Sequence, residues 1–277
     1  VTAPATPEST DELRKRIASG IVMAALAVGA VVLGGWPFAL FWAAAALGVF
    51  WEWSAIVVSG AGAARAAGIA ALLIAALAAG AGQLYTAFIA LAAGMAGVAG
   101  MSTPRRRAWS AGGVAYAGAV LLAPVVLRRD PEFGVLAILF LFAVVWTTDI
   151  LGYFVGRAIG GPRLAPNISP HKTWSGACGG ALGALAAGVA VVYVAGDTVL
   201  PAAACVAFVL SIASQAGDLF ESAVKRRFGV KDASHVIPGH GGLMDRLDGF
   251  IAASSMAALI GIMRGGLDAS ARGLLLW

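Results

Sequence analysis

Apolar runs nearly free of charge alternate along the chain with short polar clusters that hold almost all the ionisable groups. The runs fall at about 17–35, 37–58, 66–83, 84–102, 109–127, 133–155, 176–196, 198–217 and 249–265, each close to the ~20 residues a helix needs to cross hydrocarbon. Their lengths and spacing predict an all-α fold, a polytopic integral membrane helical bundle of about nine transmembrane helices. Gly and Ala crowd these runs, and in lipid small residues let helix backbones approach closely. Gly176 with Gly180, and Gly179 with Gly183, have the small-xxx-small spacing that such packing uses.

The same pattern divides the chain. Residues 1–16 read as a cytoplasmic N-terminal tail, with TAPATPESTDE too polar to bury a core. Arg14, Lys15 and Arg16 could open a signal peptide, but the run behind them is longer than an h-region and further spans follow, so it reads as a first span. Residues 17–130 look like a transmembrane scaffold of spans joined by very short loops. In 131–277 polar groups gather at span ends and in two loops, about 156–175 and 218–248, which marks a C-terminal catalytic region.

Composition agrees and adds orientation. Of 277 residues 60% are hydrophobic and only 12% charged, outside the range of soluble domains. When Lys and Arg are assigned to alternating sides of nine spans, 15 of the 19 fall on the side of the N-terminus. The other side receives only Arg128, Arg129, Arg264 and Arg272. Positive charge favours the cytoplasm, so the two long loops are expected there. The net charge of +5 then reflects topology. No soluble region could supply a basic groove with stacking aromatics, so nucleic acid is excluded as a partner. Cys178 and Cys205 lie inside predicted helices without metal-ligand spacing and read as packing residues.

Ionisable residues in spans are expensive and invite a functional reading, here at Glu52, Asp149 and Asp218. Glu52, in FWEWSA, has two readings: a carboxylate paired with a neighbouring Arg or Lys, or a functional group. Asp149, in WTTDILGYFVGR, reads as a substrate or metal group or as the partner of Arg157 or a loop base. Asp218, Glu221, Ser222 and Lys225 follow at helical spacing and would share one face. Beyond Lys231 and Asp232 comes the turn Pro238-Gly239-His240-Gly241-Gly242, whose backbone N–H groups could accept close approach of an anion. Asp245 and Asp248 then open the last helix at i and i+3. Carboxylates without a His/Cys grouping suit Mg²⁺ rather than zinc. Lys225, Arg226, Arg227, Lys231 and Arg246 surround them with phosphate-binding charge. Acids for a metal beside bases for phosphate point to phosphoryl or nucleotidyl transfer.

SAVKRRFGVKDASHVIPGHGGLMDRLD, residues 222–248, resembles the signature of the phosphatidate cytidylyltransferases (CDP-diacylglycerol synthases), with SQAGDLFES ahead of it similar to that family's flank. WTTDILGYFVGRAIGGPRLAPNISPHKTWSGACGG, LRKRIASGIV and FWEWS are similar too, so the likeness covers nearly the whole chain. Three positions depart: Gly152 where Ala is usual, His171 where Lys is usual and Ser175 where Glu is usual.

The resemblance implies an enzyme taking CTP and phosphatidate to CDP-diacylglycerol and pyrophosphate, with Mg²⁺ as cofactor and a second cation left open. It implies metal binding by Asp218, Asp245 and Asp248, with Lys225 and Arg246 also catalytic. Substrate would be held by Asp149, Lys172, Ser222, Arg226, Lys231, His240, Gly241 and Gly242. His240 could orient a phosphate or an aspartate or only shape its turn, Asp232 caps the turn, and Ser222 is a hydrogen bonder rather than a nucleophile. Trp174 reads as an interfacial anchor. Membrane lipid is the expected environment, and a homodimer stays open. A CTP-dependent lipid kinase of the dolichol-kinase type is the nearest rival, and a cation-coupled transporter a more distant one.

Overall fold

The computed structural model describes residues 10–57, 62–196, 200–231, 233–234 and 241–277, with side chains from residue 20 onward. It is a helical bundle: α1 Thr10–Leu33, α2 Gly35–Val57, α3 Gly62–Gly80, α4 Leu84–Met101, α5 Arg107–Arg128, α6 Gly134–Ile159, α7 Trp174–Val194, α8 Leu200–Arg227, α9 Met244–Gly265 and α10 Ser270–Leu275. Among the described residues eight helices, α2 to α9, are long and apolar enough to cross a membrane. The described apolar part of α1, Gly20–Leu33, is shorter. Each expected span thus coincides with one helix, because charge-free length is what both the bilayer and the helix ladder require.

α5 lies at the centre, with Val114, Ala117, Val120 and Leu121 fully buried. α2 joins it through the Trp53 indole N–H, which donates to the Trp109 carbonyl at 2.9 Å. α2 also meets α9 through Trp42 and Phe250, stacked with ring centroids 4.8 Å apart. Outward-facing Ile, Leu and aromatic side chains cover the flanks, as lipid contact demands.

The two ends of the bundle differ in chemistry. At one end Arg128 donates to the Val31 carbonyl (2.8 Å), Arg272 pairs with Glu132 (2.8 Å), Arg129 with Asp268 (3.5 Å), and Arg264 stacks over Trp277. Buried Asp130 fixes the turn ahead of α6 there by accepting from the amides of Glu132 and Phe133, both at 3.0 Å. These are the four minority cations of the charge count, and each is matched locally. The opposite end carries Arg105, Arg106, Arg107, Arg226 and Arg227, with Arg227 over Trp109 and Arg106 over Phe228.

Several sequence boundaries need correction. α1 begins at Thr10, inside the stretch expected as tail. Within the all-α bundle one short hairpin occurs, β1 Arg163–Ala165 paired antiparallel with β2 Ser169–Thr173 in the 156–175 segment. The rest of that segment is shortened because α6 runs to Ile159 and α7 starts at Trp174. The 218–248 segment is helical at both ends, as the spacing of Asp218 to Lys225 and of Asp245 to Asp248 implied, since α8 continues to Arg227 and α9 starts at Met244. A helix of 28 residues such as α8 is ~42 Å long, so its charged last turns can stand clear of a ~30 Å hydrocarbon layer. Cys178 and Cys205 are exposed on helix surfaces rather than packed inside.

The glycine spacing on α7 does what it promised. A Cβ on Gly180 would lie 2.6 Å from the Thr148 carbonyl oxygen, and one on Gly179 2.6 Å from Val155, so α6 and α7 run in backbone contact. Gly152 differs, because a Cβ there would find only the Gly176 carbonyl oxygen at 3.6 Å. Gly180→Val should therefore lower the midpoint of thermal unfolding in detergent by an amount equivalent to about 1–3 kcal/mol. Gly152→Ala, which restores the residue usual in the family, should leave it unchanged within error.

Candidate active site

Where the α6–α7 contact opens, the ends of α6, α7, α8 and α9 and the β-hairpin enclose a cavity of about 770 Å³. That volume is in the range of small-molecule sites. α6 contributes Thr148, Asp149, Gly152, Tyr153, Gly156 and Arg157, which recur at the three- and four-residue steps of one helix face. The hairpin adds Arg163, His171, Lys172 and Thr173, α7 adds Gly176 and Ala177, α8 adds Gln215 and Asp218, and α9 adds Asp245, Arg246 and Asp248.

Local chemistry holds the hairpin over this cavity. Thr173 caps α7 by accepting the Gly176 amide at 3.1 Å. Ser175 lies 3.0 Å from the Thr173 hydroxyl and donates to the Gly160 carbonyl, closing the hairpin base without the charge that the family's usual Glu would bring. Lys172, on β2, forms an ion pair with Asp218 of α8. The halves of the site that lie apart in sequence are joined by that pair. Beneath it Thr148 meets Ser211 at 2.8 Å, and Gln215 donates to the Ala177 carbonyl at 3.3 Å, linking α6, α7 and α8.

Glycine again sets the approach of α8 to α9. A Cβ on Gly217 would lie 2.5 Å from the Asp248 carbonyl oxygen, and one on Gly249 2.5 Å from the Ser214 hydroxyl. The contact puts Asp218, the residue after Gly217, and Asp248 on the same cavity.

A second polar layer stands behind the cavity. Lys225 bridges Glu221 at 2.8 Å and Asp245 at 2.5 Å. The other oxygen of Asp245 accepts the amides of Gly242 (2.9 Å) and Ala233 (3.3 Å). Glu52, 1% exposed, accepts from the amides of Leu243 (2.8 Å) and Met244 (2.7 Å) and from the Ser234 hydroxyl (2.5 Å). Among the described residues it is held by the start of α9 and by Ser234, and no Arg or Lys pairs with it.

The structure sorts the sequence candidates. Asp149, Lys172, Asp218, Asp245, Arg246 and Asp248 are brought together on the cavity. Lys225 is not on its wall, and neither are Ser222, Arg226, Lys231, Gly241 or Gly242. The Gly242 amide, expected to face a phosphate, is taken by Asp245. Arg157, one of the partners considered for Asp149, donates to the Tyr153 hydroxyl at 2.8 Å. His240 and Asp232 lie outside the described residues. Tyr153, Arg157, Arg163 and Gln215 line the cavity though sequence reasoning did not select them. The two arginines were visible as bases of the Gly-rich segment, whereas Tyr153 and Gln215 carry no signal until the helices are packed.

Among the described residues no three His, Cys, Asp or Glu side chains converge on a point that could hold a metal. The donor set nevertheless fits Mg²⁺, which needs only one or two protein carboxylates and takes its other ligands from water and substrate phosphate. Asp218 and Asp248 fit that role. Asp245, with one oxygen on Lys225 and the other on two amides, does not.

Comparison with known proteins matches this chain over residues 14–263 to the model of the cytidylyltransferase family. A phosphatidate cytidylyltransferase of Brucella abortus biovar 1 (strain 9-941) is 43% identical over 256 residues, covering 90% of this chain and 93% of the relative. Proteins of the same name from Haemophilus influenzae (42% over 130 residues, 45% of each chain) and Bacillus subtilis (39% over 129 residues, 46% of this chain and 48% of the relative) match a shorter part. With likeness running from the first helix through every element that walls the cavity, this chain belongs to the cytidylyltransferase family and is a polytopic membrane enzyme.

Proposed function

We propose that the chain transfers CMP from CTP to phosphatidate, giving CDP-diacylglycerol and pyrophosphate for phospholipid biosynthesis. The observation that carries this reading is the cavity itself: it sets Asp149, Asp218 and Asp248 among Lys172, Arg157, Arg163 and Arg246 at the charged end of membrane-spanning helices. A water-soluble nucleotide and a lipid phosphate can meet only at such a boundary. The name borne by the 43%-identical relative supplies the same substrates.

The phosphate monoester of phosphatidate is ionised near neutral pH and needs no activated side chain as nucleophile. One of its oxygens forms a bond to the α-phosphorus of CTP while the bond from that phosphorus to the β-phosphate bridging oxygen breaks, and pyrophosphate leaves with the electron pair. The protein's task is to hold two anions together and to stabilise charge on the leaving group. Lys172, Arg157, Arg163 and Arg246 would bind the phosphates of the two substrates, a reading supported by their common place on the cavity wall. Lys172 then exchanges its contact with Asp218 for substrate, freeing the carboxylate. Asp218 and Asp248 would hold Mg²⁺, which when bound neutralises phosphate charge and favours departure of pyrophosphate. Lys225, from behind the wall, would hold Asp245 at the start of α9.

We place this end of the bundle in the cytoplasm, where 15 of the 19 Lys and Arg residues gather and CTP is made. In a background with Cys178 and Cys205 replaced by Ala, a membrane-impermeant thiol reagent applied to intact cells should label Asp268→Cys and spare Asn167→Cys. The reverse labelling would invert the orientation.

In reconstituted vesicles, CTP labelled in cytidine should yield a lipid carrying the label, whereas label moving only from the γ-phosphate would mean a kinase. Asp218→Asn and Asp248→Asn should each lower kcat by about 10²-fold or more, as loss of a transition-state electrostatic group does. Chelation should abolish turnover and added Mg²⁺ restore it. Wild-type turnover in both variants would remove the carboxylates from the site.

A further inference from the structure

We infer that Glu52 is a positioning residue of the transferase: a carboxylate from α2 that caps the start of α9 and so sets where Asp245, Arg246 and Asp248 stand at the cavity. The inference rests on the reading of that cavity as the place of cytidylyl transfer.

The first amides of a helix have no partner within it and are usually satisfied by a Ser, Thr, Asp or Asn at the N-cap. α9 has Leu243 in that position, and its side chain provides no cap hydrogen bond. Glu52 supplies the missing acceptors from a distant part of the chain, one oxygen to the Leu243 amide and the other to the Met244 amide. The Ser234 hydroxyl completes its shell. A negative group at a helix N-terminus is favoured by the helix dipole as well, more so when buried. Among the described residues no Lys or Arg forms an ion pair with Glu52, so the amides and the hydroxyl are what hold it in a buried site.

α2 is shaped for this seat. One turn before Glu52, a Cβ on Gly48 would lie 2.8 Å from the Leu243 side chain, so the glycine lets Leu243 come close. A Cβ on Gly242 would lie 3.0 Å from both the Glu52 and the Asp245 carboxylate oxygens. Two carboxylates therefore close on a single turn, Glu52 from the scaffold and Asp245 from α9 itself. The next residues of the helix, Arg246 and Asp248, line the cavity. Removing Glu52 strands the Leu243 and Met244 amides beside a buried site, and the turn must shift to rehydrate them. A shift of ~1 Å in a site that works by placement is enough for a large loss of rate.

The test uses the full chain, purified in detergent and assayed with phosphatidate and CTP, together with hydrogen exchange of the 241–246 amides. Glu52→Gln should lower kcat by about tenfold or more with both KM values changed less than about threefold, and Glu52→Asp should recover part of the loss. Exchange at 241–246 should quicken in Glu52→Gln. A kcat within about twofold of wild type, measured below the melting temperature, overturns the inference even if the variant melts earlier, because that is what a purely stabilising residue would give. Unchanged exchange overturns it too. Should the Glu52 variants fail to fold, Ser234→Ala decides: faster exchange with a lower kcat supports the inference, and wild-type values in both overturn it. If the wild-type protein makes no CDP-diacylglycerol, the cytidylyl reading fails while the exchange data still decide the cap.

Discussion

The approach of Gly217 to the backbone carbonyl of Asp248 is the contact on which the site depends. It brings α8 and α9 to a distance that any side chain at Gly217 would forbid, and Asp218 and Asp248 come onto one cavity as a result. In lipid such contacts are the available means of assembly, since apolar side chains gain nothing by leaving hydrocarbon for one another. Around the site the chain uses the device at α8–α9 and along α6–α7. Between those two glycine-lined contacts lies the cavity.

A membrane enzyme with phosphate substrates has to keep many charges at a helix end without letting them collapse on each other. Here the charges are arranged in depth. Asp149, Asp218 and Asp248 open on the cavity together with Lys172, Arg157, Arg163 and Arg246. Behind them Lys225 joins Glu221 to Asp245, itself on the cavity wall, and Glu52 is held by backbone amides and the Ser234 hydroxyl. These contacts tie α8 and α2 to the start of α9 and so orient the outer layer. Removal of one partner from such a buried set leaves the others uncompensated, which is why the inner groups matter although they touch no ligand.

The departures from the family pattern also acquire a meaning. Ser175 ties the hairpin base through a hydroxyl, and the neutral bond serves there without a carboxylate. His171 still faces the cavity beside Lys172, so the loss of one positive charge falls on the wall itself. Gly152 leaves ordinary contact room for the methyl group that relatives carry.

What the amino-acid sequence alone determined is the set of spans, the sidedness of charge and the family signature. Each of these is a local property: a run long enough to cross hydrocarbon, a count of Lys and Arg, a spacing of residues in one segment. The union of Lys172 with Asp218 was legible only as an expectation that two segments belong together. Helical spacing placed Glu221 and Lys225 on the face of Asp218, but their inward turn toward Asp245 was not readable. The glycine turn suggested an anion, and the tertiary structure gave the Gly242 amide to Asp245. Glu52 shows the limit best. Its neighbours in the sequence say nothing of α9, because the donors it satisfies lie almost two hundred residues away and exist only once α2 and α9 have packed.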